Sequence, residues 1–589
     1  MAAVPGSSPV TGSSGFAGTG QLVKLAFRRD GVILPVCVLG IAALLAITAR
    51  DLRAVYPTAA SRVAVATRAG ANPALRFLLG RLNGTSVGAF LAARWGVWGA
   101  AVTALLAILV VVRHTRADEE AGRLELVGAG AVGRRAPLTA ALLVAATANL
   151  VLALLTLLWL PALGLPVAGS AALALSIGGC GLVFAGVAAA GAQLAVTARS
   201  ARGIAIGSLG AAYMLRAVGD SGSAGVSWLS WASPLGWTES ARAFGSAGER
   251  WWVLALPLAA SAALMTAAFA LAAWRDQGAG LLPGRPGPRS ASGLLRGPFG
   301  LAWRVQRPVL AGWLTAYVFV FAASGAGARG IGSILGGSAV LKRYLLRAGY
   351  QATVTDSYLS ALMLLAGLAT AAYATSAVLR LRAEETGNLA DPVLAAPTGR
   401  IRWGLSHISV AVGGACLLLV TAGLSAGLGD GIATGSVSTQ VPSLLGAALA
   451  RLPATLVLAA VAIMAFGLLP WASVALAWTA VALVGVIAVF GPSLQWPGWM
   501  IDISPFTQAP KLPGAAALSA GPLIWLCGIA LALSAAGLAG LRRRDLGDLG
   551  PAGLAAPVRD WLADYVRESN EISRPAASAA PARPPDPMP

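Results

Sequence analysis

The sequence predicts an all-α fold, a polytopic membrane protein of about twelve transmembrane helices in two parallel six-helix repeats, and three observations carry that prediction. The chain is 57% hydrophobic and only 11% charged, with a mean hydropathy of +0.74, where a soluble domain has about 25% charged residues. Stretches such as 138–161, 251–273, 358–379 and 471–490 carry no charge over the roughly 20 residues that a helix needs to cross a hydrocarbon core about 30 Å thick. Only helices and closed barrels satisfy the backbone in lipid, and continuous apolar runs select helices. Finally, landmarks of the first half of the chain recur in order in the second.

Taken in order, residues 1–20 are a Gly, Ser and Pro mixture without a secretory cleavage pattern and read as a disordered tail. The stretch 21–30 sets Lys24, Arg28 and Arg29 beside Phe27 and other apolar residues, as an amphipathic helix at the membrane surface does. Spans follow near 31–49, 88–112, 138–161, 170–197, 203–218 and 251–273, and again near 309–324, 358–379, 404–427, 446–468, 471–490 and 521–541. The least marked are 203–218, which is short, and 446–468, which contains Arg451. The halves are 21–276 and 301–545; the stretch 277–300 between them, rich in Gly, Pro and Arg, reads as a linker without a core. The tail 546–589 has one helical candidate, 558–568, before a disordered end.

Four landmarks define the repeat. Leu25-Ala26-Phe27-Arg28 before the first span matches Leu301-Ala302-Trp303-Arg304 before the seventh. Arg76-Phe77-Leu78-Leu79 matches Arg343-Tyr344-Leu345-Leu346. Arg116-Ala117-Asp118-Glu119-Glu120-Ala121-Gly122 matches Arg382-Ala383-Glu384-Glu385-Thr386-Gly387. Ser233-Pro234-Leu235 matches Ser504-Pro505-Phe506, and an Arg-Asp pair, Arg275-Asp276 or Arg544-Asp545, follows each last span. Six spans per half is an even number, so both halves enter the membrane from one side, related by an axis along the membrane normal.

The net charge of +20 rests mostly on arginines scattered through loops. With no folded polar domain to carry them, they point to the membrane surface rather than to nucleic acid. Arg113, Arg116, Arg123, Arg134, Arg135, Arg199, Arg202, Arg275, Arg285, Arg289 and Arg542 to Arg544 fall on one side, which is expected to be cytoplasmic along with both termini; Arg53, Arg62, Arg68, Arg76, Arg81, Lys342, Arg343 and Arg347 fall on the other, in longer loops that weigh less in the rule. Cys37, Cys180, Cys416 and Cys527 sit inside apolar runs without metal-ligand spacing, so neither a disulfide framework nor a metal site is expected.

No carboxylate falls inside the twelve expected spans; Arg94, Arg216, His407 and Arg451 are the ionisable exceptions, read as snorkelling from span ends, with Arg216 and Asp220 spaced to pair at the outer mouth. A transporter driven by protons or sodium needs such groups at the midplane. A nucleotide site is equally absent: Lys24, Lys342 and Lys511 are the only lysines, and none follows the Gly-x-x-x-x-Gly pattern that cradles phosphates. No catalytic residue or cofactor is therefore expected in this chain. The acidic pairs Glu119-Glu120 and Glu384-Glu385 suggest a short helix presenting carboxylates to a partner. The second copy has Asn388 where the first has Arg123 as a local counterion, which favours an external partner.

At these residues the chain resembles the type-2 ABC export permeases, in particular the fused twelve-span group of polyketide-antibiotic (tetronasin-type) exporters, over residues 20–545. The match rests on the Arg-Ala, Glu-Glu, Gly loop of both halves, on the interfacial helices carrying Phe27, Arg28, Trp303 and Arg304, and on the Ser-Pro landmarks. The resemblance implies coupling to an ATPase through Glu119, Glu120, Gly122, Glu384, Glu385 and Gly387. It also implies a segment dipping in from outside at Ser233–Trp237 and at 504–507. Apart from the resemblance, Trp231 and Trp237 flank Ser233-Pro234, and Trp231, Ser233, Pro234, Trp237, Ser504, Pro505 and Phe506 are the candidates for an outer gate, with interfacial anchoring as the alternative for the tryptophans. The ATP and Mg would sit on two copies of a separate ABC ATPase subunit, the location would be the plasma membrane, and the cargo would be a hydrophobic small molecule. The second loop departs from the pattern, being one residue shorter before its Glu pair and interrupted by Pro392 and Pro397. A membrane scaffold or immunity factor, in which nothing crosses, is the alternative, ahead of a secondary transporter.

Overall fold

The computed structural model describes residues 15–128, 132–222, 224–276, 278–282, 293, 297–330, 353–491, 496–510, 512–513 and 520–544. The expectations placed on 1–14, on 343–346, on most of the linker and on the tail 546–589 lie outside them. Among the described residues every regular element is a helix. Ten helices or bent helix pairs are long and apolar enough to cross a membrane, from Ile33–Val55 to Ala520–Arg543. The expected fifth and eleventh spans are helices too. Ala198–Ser221 has 24 residues but carries Arg199, Arg202, Arg216 and Asp220, and Ser473–Phe490 is apolar but has 18 residues, about 27 Å at 1.5 Å per residue.

Lipid tails are as apolar as leucine, so helices in a membrane associate through close packing, which small residues permit. In the first half the organising element is Val167–Leu194, which packs against Ala100–His114, Ala136–Ala162, Ala198–Ser221 and Ala255–Trp274. Its glycines face neighbours directly: a Cβ at Gly181 would overlap Asn149 and one at Gly186 would overlap Leu264. In the second half Arg400–Thr434 runs along Pro298–Ala326 and Val437–Leu449, while Leu452–Leu468 lies against Ala520–Arg543. There Gly467 and Gly537 bring backbone against backbone.

Three interruptions shape the bundle. Thr19–Arg29 and Ile33–Val55 are separate helices, broken at Asp30, Gly31 and Val32. The second span of the first half contains a π-helical turn, Trp95–Gly99; such turns free a carbonyl from the helix ladder, and Thr238 Oγ1 donates to that of Gly96. The expected span 446–468 is two helices, Val437–Leu449 and Leu452–Leu468, parted at Arg451.

The expected interfacial helix before the seventh span is corrected: Trp303 and Arg304 lie within one continuous 29-residue helix, Pro298–Ala326. In the first half, Gly31 weakens the helix, and the Asp30 carboxylate turns to His114 Nε2 at 2.7 Å and Arg113 at 2.9 Å. At the matching position Gln306 stays helical, with its amide against His407 Nδ1 at 3.0 Å.

Candidate coupling elements and the charged cluster at the opposite end

Each half turns back on itself after its second span. In the first, a short helix Arg116–Glu120 is followed by Gly122 at φ 71° and a second short helix, Arg123–Gly128. In the second, Arg380–Thr386 is followed by Asn388 at φ 53° and then Asp391–Ala395. A left-handed residue closing a helix is usually Gly and sometimes Asn. Gly122 therefore corresponds to Asn388 and not to Gly387, whose φ is −91°.

Two further contacts fix the same register. Arg275 forks Glu119 at 2.8 and 3.0 Å, and Arg544 forks Glu385 at 2.7 and 2.7 Å. Arg134 donates to the Arg275 carbonyl oxygen at 2.6 Å, and Arg400 to the Arg544 carbonyl oxygen at 2.7 Å. From the loop to the start of the third span the offset is 266 residues (385 − 119, 388 − 122, 400 − 134), while the fork arginines are 269 apart (544 − 275). The corresponding acidic pairs are thus Asp118-Glu119 and Glu384-Glu385, and Glu120 corresponds to Thr386. The second loop is not shorter before its pair; Glu119-Glu120 and Glu384-Glu385 are alike in letters but stand one residue apart in the fold. Nor does Pro392 interrupt it, because Pro392 occupies the first turn of Asp391–Ala395, where a missing N–H costs nothing.

The carboxylates face inward. Arg116, itself buried, donates to Glu119 at 2.9 Å and to the Val196 carbonyl, and the Gly278 N–H donates to Glu119 at 2.6 Å, so the first residues of the linker are bound to the loop. Asp118 accepts from Arg29 and Arg123, each at 2.7 Å. Glu384 takes His407 Nε2 at 3.2 Å, Trp403 Nε1 at 3.4 Å and Arg380 at 3.5 Å. The expectation that the second pair lacks an internal partner is overturned. Of the four named glutamates only Glu120 is exposed, and it accepts the Ala198 N–H at 2.9 Å, capping the fifth helix. The outward face of each turn is Glu120-Ala121 and Thr386-Gly387. Phe27 packs against the core, while Arg28 and Arg304 are exposed.

His114, Asp30, Asp118 and Arg134 are braces that the sequence reading passed over. The sequence carries a signal for them: the chain has two histidines, one beside each loop, and Arg275 and Arg544 recur after each last span.

At the other end of the first half, the Ser-Pro landmark is an N-cap. Ser233 Oγ accepts from the Leu235 N–H at 3.2 Å and donates to the Ala212 carbonyl at 2.7 Å, with Pro234 starting the helix Pro234–Ser240. Trp237 Nε1 donates to the Trp231 carbonyl at 2.7 Å, and Trp231 stacks on Trp252 at 5.8 Å. Ser504 and Pro505 likewise start a short helix, Pro505–Gln508, and the Phe506 carbonyl accepts from Arg451 at 3.3 Å.

Snorkelling fails for three of the four ionisable exceptions. Arg216, His407 and Arg451 are all at most 2% exposed, and only Arg94 reaches the surface. Arg216 lies 3.6 Å from Asp220, as its spacing predicts, and 3.7 Å from Glu239, while Arg81 holds Asp220 at 2.9 Å and Ser230 Oγ donates to it at 2.7 Å. The helices also run past their expected ends, so Asp51, Asp356 and the buried Asp430 fall inside spans, each in a terminal turn.

Helices of membrane-crossing length in two sets, each with a braced return loop at one end, define a polytopic membrane protein. The chain is 39% identical, over 540 residues, to the "Multidrug efflux system permease protein Rv1217c" of Mycobacterium tuberculosis (strain ATCC 25618 / H37Rv), spanning 90% of this chain and 96% of that protein. Residues 295–542 match the family model "Multidrug efflux system permease Rv1217c, C-terminal domain". The chain belongs to the family of this multidrug efflux permease.

Proposed function

We propose that this chain is the membrane subunit of an ATP-driven exporter, with two copies of a separate ABC ATPase seated on its two return loops. The observation that carries the reading is the twofold fork, Glu119 on Arg275 and Glu385 on Arg544. Each fork ties the loop after a half's second span to the end of its last span, so a push on the loop moves that half as a rigid unit. Bidentate arginine–carboxylate pairs are suited to this because they fix geometry as well as distance. The buried carboxylates brace the loops, and the partner would meet Glu120-Ala121 and Thr386-Gly387. ATP and Mg would be held by the partner, since no lysine here follows a phosphate-cradling glycine pattern. The loops then face the cytoplasm, as do both termini, in the plasma membrane.

The cargo is inferred to be hydrophobic or amphipathic. The relative's name specifies multidrug efflux, and the likeness to the tetronasin-type exporters favours an antibiotic-like molecule expelled from the inner leaflet.

The test uses the full chain in lipid with its candidate ATPase, following ATP hydrolysis and capture of the ATPase. Ala121→Arg together with Gly387→Arg should abolish capture. Glu119→Gln with Glu385→Gln should retain capture but lower permease-stimulated hydrolysis at least about tenfold, equivalent to about 1.4 kcal/mol. Efflux that persists in cells lacking any such ATPase would sink the proposal in favour of a gradient-driven carrier.

A further inference from the structure

Beside the first return loop lies a cavity of about 300 Å³, bounded by Leu22 and Leu25 of the helix Thr19–Arg29 and by Pro137 and Ala141 of the third span, with Arg29, Asp118 and Arg123 at its polar side. That volume is at the lower end of small-molecule sites, roughly 300–1,000 Å³. At the corresponding place in the second half, larger side chains stand against the loop carboxylate. At the offset of 266 residues, Pro137 corresponds to Trp403 and Ala141 to His407. Both side chains are buried, and both reach Glu384, the counterpart of Asp118. Trp403 also packs edge-on against Phe466 and belongs to a small apolar core with Leu381, Ala390 and Leu541.

The exchange extends to the charges. By the Leu-Ala-Phe-Arg match, Arg29 corresponds to Val305, and by the loop register Arg123 corresponds to Leu389. One half therefore has two cations and a hole where the other has two aliphatic residues and an aromatic plug. Filling residues and counterion demand changed together, as they do when a ligand replaces side chains. Arg29 and Arg123 each place one nitrogen on Asp118, a guanidinium has five N–H donors, and their side chains are 30% and 56% exposed. Two guanidiniums against one carboxylate leave a positive rim on an apolar wall. The wall adjoins an amphipathic helix that bears Lys24 and Arg28 on its exposed side.

We propose that this cavity binds one anionic phospholipid, its phosphate on Arg29 and Arg123 and part of an acyl chain against Leu22, Leu25, Pro137 and Ala141. Guanidinium forks match phosphate geometry, and basic pockets between transmembrane helices bind anionic headgroups. The lipid would reinforce the Arg29–Asp118 link between the helix Thr19–Arg29 and the return loop. This site does not depend on the ATPase reading, because binding is measured on the permease alone.

Native mass spectrometry of the full, delipidated chain in detergent tests it, with phosphatidylglycerol, phosphatidylcholine of the same chains, and inorganic phosphate as probes. The wild type should retain one phosphatidylglycerol at least about tenfold better than phosphatidylcholine, about 1.4 kcal/mol. Arg29→Gln with Arg123→Gln should remove that preference, and Ala141→Leu, which keeps both cations, should lower retention of phosphatidylglycerol. Arg29→Lys with Arg123→Lys supplies a charge-preserving variant if the glutamine pair unfolds, and should retain a reduced preference. Equal retention of the two lipids by the wild type, or an unchanged preference in both double variants, overturns the proposal. Displacement of the lipid by inorganic phosphate alone also overturns it, assigning the site to a free anion.

Discussion

Glu239 shows how far a single side chain can depart from its sequence context. It lies outside the ten spans, in the helix Pro234–Ser240. Burial pushes its carboxyl well above the usual carboxylate range; Arg216 pulls against that and the Asp220 charge adds to it. A raised folded-state pKa means that the folded protein keeps a proton which the unfolded chain has released at the same pH. Its stabilising contribution is complete below the unfolded carboxylate range and is lost as pH rises through the folded value. The thermal midpoint of the purified protein should accordingly fall as pH is raised from the carboxylate range towards neutrality, and Glu239→Gln should flatten that dependence. An unchanged slope in the variant would mean that Glu239 is ionised against Arg216 throughout. The Arg216–Asp220 pair was legible in the sequence because i, i+4 neighbours meet on any helix. Glu239, Arg81 and Ser230 were not, since they come from separate segments that only packing brings together.

Elements were legible where their causes are local. Apolar runs gave the spans, Ser-Pro gave two short helix starts, the first of them capped by the Ser233 hydroxyl, and the left-handed Gly122 ended its helix as glycine can. What failed was length and continuity. The first amphipathic helix is separate and its counterpart is fused to the span, because the Asp30 carboxylate has imidazole and guanidinium partners elsewhere whereas Gln306 meets its partner without leaving the helix. The glycine-mediated pairing of Leu452–Leu468 with Ala520–Arg543 has a direct test. A side chain at Gly467 would overlap the Gly537 carbonyl, and overpacking a well-filled contact costs about 1–3 kcal/mol. Gly467→Leu should lower the thermal midpoint in detergent clearly, whereas Gly446→Leu, which has open space around it, should leave it nearly unchanged. Equal effects would show that the two helices do not pack as described.

Across the whole molecule, both return loops lie at the ends of their halves where Arg275 and Arg544 close the last helices. One membrane face should therefore expose both. Single cysteines at Ala121 and Thr386, in a background lacking Cys37, Cys180, Cys416 and Cys527, should both react with an impermeant maleimide in inverted vesicles and in neither case in intact cells. Labelling from opposite sides would break the parallel arrangement of the halves. The halves are nevertheless unequal: a buried cluster of Arg216, Asp220 and Glu239 occupies one, and Arg451 bonded to the Phe506 carbonyl the other. The first return loop has a cavity where the second has Trp403.

The sequence by itself determined that this chain lives in a membrane, that it is helical, and that one set of spans repeats another. Those properties follow from hydropathy, helix length and recurring letters, each readable along the chain. Only the tertiary structure decided which acids correspond, that the loop carboxylates face inward, and that Arg216, His407 and Arg451 are buried rather than snorkelling. Partners of a charged group lie anywhere from three to more than 150 residues away, as Arg116 and Arg275 do from Glu119. Distance along a sequence does not encode such meetings, because they exist only after helices have packed.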